Sequence, residues 1–105
     1  MSEHFNGLRP DEAERLAMLA EECGEVVQVI GKILRHGYES KHPAHLDGPT
    51  NRDLLAKECA DVMAVLKLMA NAGDAAIING LPGPMLKQAM ERKLKYAHHQ
   101  RGPDE

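Results

Sequence analysis

Met18 to Gly31 reads MLAEECGEVVQVIG, and 36 positions later Leu54 to Lys67 reads LLAKECADVMAVLK. Six residues recur in register, as Leu19 and Leu55, Ala20 and Ala56, Glu22 and Glu58, Cys23 and Cys59, Val26 and Val62, Val29 and Val65, and an acid recurs as Glu25 and Asp61. At helical spacing the first copy gives a stripe of Met18, Glu22, Glu25 and Val29, and the second gives Leu54, Glu58, Asp61 and Val65. Both step 4, 3, 4 along one face of a helix. The repeat therefore predicts two matched helices, each with a pair of carboxylates set into an apolar stripe. The neighbouring stripes, Leu19, Cys23, Val26, Ile30 and Leu55, Cys59, Val62, Leu66, carry no charge and read as core. Cys23 and Cys59 are then expected as a pair of small buried hydrophobes.

A carboxylate framed by apolar residues lies at the edge of a buried seam, where an unpaired charge is costly unless something compensates it. Basic side chains across the seam would do so, as would divalent cations. Lys57 is the only basic residue inside either copy before its last position, and an all-oxygen donor set suits a hard ion such as Mg²⁺ or Mn²⁺. The bland alternative, that acids three apart form a solvated face, describes most lone pairs of this kind. Two copies in matched registers weaken it.

Length and composition set the frame. With 105 residues the chain is expected to be one domain, residues 1–105, with 1–10 and 101–105 loosely ordered. An aromatic share of 3% and six Met favour helix packing over a β-sandwich. A net charge of -3 supplies no basic field for a nucleic-acid duplex, so polymeric nucleic acid is not an expected partner. No apolar run approaches membrane-spanning length and the first residues form no apolar leader, so the expected location is cytoplasmic.

In chain order, Pro10 and an Asp11/Glu14 cap open a first helix from about Glu12 to about His36, with Gly37 as a left-handed terminator. GYESKHPAHLDGPTN must be a loop, a long one for so small a protein. Thr50 with Asp53, or Asn51, caps a second helix that continues to about Asn71. Residues 75–79 suit one helical turn, and Gly83 with Pro84 opens a third helix to about His99, its basic set being Lys87, Arg92, Lys93 and Lys95. His36, His42 and His45, in or beside the loop, read as surface residues. The first helix offers more apolar surface than one hairpin partner covers. The expected fold is all-α: an antiparallel helical bundle in which the two acid-bearing stripes of one chain face each other and whose four-helix core is completed by dimerisation, as a homodimer or a dimer of dimers.

EECGE, with Glu21, Glu22 and Glu25 in the form E-E-x-x-E, followed by ECAD, with Glu58 and Asp61 in the form E-x-x-D, resembles the metal signature of the MazG-type all-α nucleoside triphosphate pyrophosphohydrolases. The likeness extends over roughly residues 11 to 96 and is to the small single-domain members. It implies Mg²⁺-dependent hydrolysis of a nucleoside triphosphate to the monophosphate and pyrophosphate, by a dimeric or tetrameric helical protein. Glu22, Glu25, Glu58 and Asp61 match the metal ligands, and Glu21 matches the extra acid, the candidate for orienting or deprotonating the attacking water. Two features depart from the family pattern. The loop from Gly37 to Asn51 is longer than in many members, and the third helix offers Lys93 and Lys95, with Ala97 where an Arg is usual. Arg92, Lys93 and Lys95 are the candidates for substrate phosphate. A rival from another class is a non-catalytic helical interaction protein whose acids form a solvated or salt-bridged seam.

Overall fold

A computed structural model describes residues 6–74 and 83–100. Three helices occur among them: α1 (Pro10–His36), α2 (Asn51–Ala72) and α3 (Gly83–Lys95). The expected turn over 75–79, the first five residues and the tail 101–105 lie outside the described residues.

The start of α1 sits two residues earlier than the expected Asp11 cap. Arg9, extended at φ -76 and ψ 156, is the N-cap, and Pro10 takes the first helical position, where its fixed φ fits and its missing N–H costs nothing. The Glu12 carboxylate accepts from the Arg9 backbone N–H at 2.8 Å. Asp11 turns instead to cations, accepting from Arg9 Nε at 3.2 Å and Arg15 Nη2 at 3.1 Å. Gly37 ends α1 with φ 89 but ψ 167, outside the left-handed helical region that the sequence suggested, and its N–H donates to the Ile33 carbonyl at 2.7 Å.

At the other side of the loop, Thr50 and Asp53 form the expected reciprocal cap on α2. That helix ends in a Schellman motif: Gly73, at φ 81 and ψ 20, donates to Ala70, and Asp74 donates to Met69. The third helix stops at Lys95 rather than near His99, its end closed by Tyr96 and Ala97 N–H groups that reach back three residues to Lys93 and Leu94.

Helices α1 and α2 pack against each other as a hairpin. Among the described residues α3 packs against neither. The buried side chains of the hairpin are Val29, Val65 and Met69, with the Asn51 amide. Val29 and Val65 belong to the acid-bearing stripes, so those stripes face each other across the seam. The charge-free stripes are left at the surface: Cys23, Cys59 and Ile30 are exposed, and Leu19, Val26, Leu55, Val62 and Leu66 are half-buried. The acid-bearing stripes were expected to face each other within one chain, and they do. The expectation that Cys23 and Cys59 are buried is corrected for the single chain, where both are exposed. A helix pair has one mutual interface, and two adjacent apolar stripes per helix cannot both enter it.

An ion pair fastens the open end of the hairpin. Arg15 donates to Asp74 through Nε at 2.6 Å and through Nη2 at 3.1 Å, with the two side chains only 15% and 12% exposed. A two-point guanidinium–carboxylate pair fixes orientation as well as distance. It holds the Asp74 carboxyl below the usual carboxylate range and the Arg15 guanidinium above its own.

Candidate metal centre

The repeat brings its four acids to one place. Glu22 and Glu25 from α1 and Glu58 and Asp61 from α2 each present a carboxylate oxygen, and these atoms all lie within 4.8 Å of one another. All four residues are half-buried, because the apolar frames above and below them, Val29 and Val65 among them, are the residues that close the seam. Glu22 Oε2 and Glu58 Oε2 are buried with no hydrogen-bond partner among the described residues.

The electrostatics follow from that crowding. Glu58 titrates above its ordinary range, first because a proton on it is shared with Glu25, then through burial and through repulsion by the Glu25 charge. When both carboxylates are ionised neither has a proton to donate to the other. Lys57 offers partial relief, its Nζ lying 2.9 Å from Asp61 and 3.5 Å from Glu58. Its side chain is 63% exposed while that of Glu58 is 12% exposed, so the ammonium approaches from the solvent side and does not reach the orphaned atoms. A salt-bridged seam would supply cations from within. Among the described residues this one gathers four carboxylates around a single peripheral ammonium.

Orphaned, buried oxygen atoms in a set made only of carboxylates fit a hard divalent cation, which accepts oxygen ligands and retains water at its remaining positions. The residues expected from the signature as ligands are therefore the residues brought together. Glu21 is exposed and stands outside the cluster. Arg92, Lys93 and Lys95 lie in the last turn of α3, and the hairpin and α3 make no packing contact among the described residues, so these three are not brought to the acids within the chain.

One feature escaped the sequence reading. The loop between α1 and α2 folds over the end of the hairpin and encloses an open cavity of about 740 Å³, whose lining includes Lys32, Arg35, His36, Lys41, His42 and His45. The three histidines taken for plain surface residues share this one concavity. A signal was present: Lys32 and His36 continue the 4, 3, 4 stepping of Glu22, Glu25 and Val29, and so lie on the face that bears the acids.

A helix hairpin that gathers carboxylates from both copies of an internal repeat into its seam defines an all-helical protein with an acidic centre whose donor set suits a hard cation. No curated protein and no solved structure matches the chain. The family model for the MazG nucleotide pyrophosphohydrolase domain matches residues 11–79, and the chain belongs to the MazG family. The match takes in both copies of the repeat, Glu21 and the whole loop, and it stops before α3.

Proposed function

We propose that this chain hydrolyses a nucleoside triphosphate, and by resemblance a deoxynucleotide, to the monophosphate and pyrophosphate, with Mg²⁺ or Mn²⁺ held by Glu22, Glu25, Glu58 and Asp61. The observation that carries this reading is the cluster itself, four carboxylates with two buried oxygens left without a partner, in a chain of the MazG family. A bound divalent cation supplies charge neutralisation on phosphate oxygens and a more acidic water. The chain's own part is to hold the carboxylates at fixed separation on two rigid helices, so that little reorganisation accompanies the reaction.

Glu21, adjacent to Glu22 on the solvent side, orients the attacking water and accepts its proton. The water oxygen bonds to the α phosphorus, the bond from that phosphorus to the bridging oxygen breaks, and pyrophosphate leaves. Among the described residues no Ser, Cys or His joins the cluster as a nucleophile for a covalent intermediate, and Cys23 and Cys59 line a separate apolar groove with Val26, Val62 and Met63.

That groove supports a homodimer or a dimer of dimers. Met63 is 69% exposed and Ile30 41% exposed, on the same side of the hairpin as the exposed cysteines, and a second copy covering this side would complete a four-helix core across a two-fold axis. Arg92, Lys93 and Lys95 would then meet substrate phosphate from the α3 of a neighbouring copy. Incubation with a panel of ribo- and deoxynucleoside triphosphates and Mg²⁺ in isotopically labelled water is the test. One-step release of pyrophosphate with the label in the monophosphate is expected. Stepwise release of orthophosphate, or label in the pyrophosphate, overturns the mechanism.

A further inference from the structure

We infer that the cavity under the 37–50 loop is an anion site that receives a phosphate group of the ligand, next to the acidic cluster. This deepens the proposed function and rests on it for the role of the site. Binding of the anion itself rests on the cavity alone.

The chain carries a net charge of -3, yet the cavity lining gathers Lys32, Arg35 and Lys41 with His36, His42 and His45 against the one carboxylate of Asp47. Complementarity to the helix dipole accounts for Arg35 and His36 at the end of α1. It does not account for Lys41, His42 and His45, which the loop carries to the same concavity. Nor do neighbouring acids neutralise the set. Glu39 is taken by Arg52 at 2.6 Å, and Asp53 is held in the α2 cap by Thr50. Among the described residues Lys32, Arg35 and Lys41 form no ion pair, and Lys41 Nζ donates only to the Leu46 carbonyl, at 3.1 Å.

The loop is built to hold this shape. His45 and Gly48 N–H groups close two successive turns onto His42 and His45 carbonyls, the Ala44 N–H donates to His42 Nδ1 at 3.0 Å, and the His42 and His45 rings stand 5.2 Å apart. The volume is in the range of small-molecule sites. Position links the cavity to the acids, because Leu54 in its wall precedes Glu58 by one helical turn, about 6 Å of rise. A cavity whose wall begins one turn from the acids, and whose Lys32 stands two turns, about 10 Å of rise, past Glu25 on α1, suits a ligand that presents phosphate to both, cation-bridged at the acids and directly paired at the bases. Two sources carry that chemistry: the terminal phosphates of a triphosphate, or a second phosphate on the sugar.

The experiment measures phosphate binding calorimetrically in metal-free buffer with chelator, so that the acid cluster takes no part through a cation. The probes are inorganic tripolyphosphate, a nucleoside 5′-monophosphate and a nucleoside 3′,5′-bisphosphate. At least one polyanionic probe is expected to bind the wild-type protein, and Lys32→Gln/Arg35→Gln and Lys41→Gln proteins of unchanged helicity are expected to lose about tenfold in affinity or more. Preference for tripolyphosphate assigns the site to the reacting end of the nucleotide. Preference for the bisphosphate over the monophosphate assigns it to the sugar. Glu58→Gln protein should bind the same probes as well as wild type or better, since it loses a neighbouring negative charge. Absence of binding by every probe, or equal affinity in the lysine and arginine variants, overturns the inference. Failure of the proposed reaction looks different: no nucleotide turnover with Mg²⁺, while metal-free phosphate binding at Lys32, Arg35 and Lys41 persists.

Discussion

Two places in the α1/α2 seam hold half-buried charge, and they are resolved in opposite ways. At the open end Asp74 meets Arg15 in a two-point pair. At the centre Glu22, Glu25, Glu58 and Asp61 meet one another, with Lys57 touching only the outer pair. The same seam thus accommodates an arginine where neutralisation serves the fold. Its centre is left unneutralised across two helices that repeat the arrangement, and an uncompensated cluster of this kind makes sense as a place reserved for something that arrives from solution.

The largest effect expected from breaking this contrast is on turnover. Glu22→Gln, Glu25→Gln, Glu58→Gln and Asp61→Asn should each lower kcat by about 10²–10³-fold, the scale of removing one group from a preorganised charged site, with helicity retained. Steady-state kinetics on the reaction proposed above reads this, and near-full turnover in all four variants would sink the assignment.

Stability should move in opposite directions at the two places. In metal-free buffer Glu58→Gln should raise the melting temperature, because it relieves repulsion, and Asp74→Asn should lower it by several degrees, because it leaves half-buried Arg15 with only the exposed Asp11 as a charge partner. Millimolar Mg²⁺ should then stabilise the wild-type protein through preferential binding to the folded state and do little for Glu58→Gln. Thermal melts with and without Mg²⁺ check both halves, and a common direction of shift in the two variants would erase the distinction.

The pH dependence sharpens the same point. Glu58 has a folded pKa raised above 4.5, so its penalty is fully present above that folded value and is relieved as pH falls toward 4.5. Asp74 has a folded pKa below 3.8, so its contribution is present above 3.8 and is lost as pH falls through the folded value. Metal-free wild-type protein should therefore gain stability relative to Glu58→Gln on acidification from neutral to about pH 4.5. Below pH 3.8 it should lose stability, and more steeply than Asp74→Asn does. Asp11 and Asp53, whose pKa values are also lowered, contribute to that second limb. Denaturant midpoints measured across this range check both limbs.

The smallest effect belongs to Lys57. Its ammonium occupies the outer oxygens of Asp61 and Glu58, so Lys57→Gln should lower the Mg²⁺ concentration for half-maximal stabilisation by about twofold, in keeping with an exposed ion pair. An unchanged or raised Mg²⁺ requirement would show that this lysine does not compete with the cation.

The hairpin and its four acids were legible in the sequence because a repeat states both helices twice. The register that sets Glu22 and Glu25 on one face also sets Glu58 and Asp61 on the facing one. That the acid-bearing stripes face each other was legible too, since two matched carboxylate pairs on an antiparallel hairpin point to one shared pocket. What was not legible is that Cys23 and Cys59, on a stripe as apolar as any core, stay exposed in the single chain, because one partner helix covers one stripe. Arg15 and Asp74 were hidden by their separation of 59 in sequence, across which local patterning carries no information. The family likeness was expected to reach residue 96, and the match ends at 79. The atypical cations of α3, with Ala97 at the usual Arg position, are consistent with that shorter span.

The loop ends are tied to each other on both sides of residues 42–49. Arg52 N–H donates to Tyr38, Asn51 N–H to Ser40, and the buried Asn51 amide to Gly37, while Lys41 and Thr50 pair as an isolated bridge. Residues 42–49 are therefore a cassette on a closed clasp. Lengthening, shortening or rewriting them changes the walls of the basic cavity and leaves the separation of Glu25 from Glu58 to the clasp and the helices. A lineage with this architecture can try new ligand preferences at the cassette without putting the carboxylate centre at risk, and a library confined to those eight positions is the corresponding place to begin an engineered change of specificity.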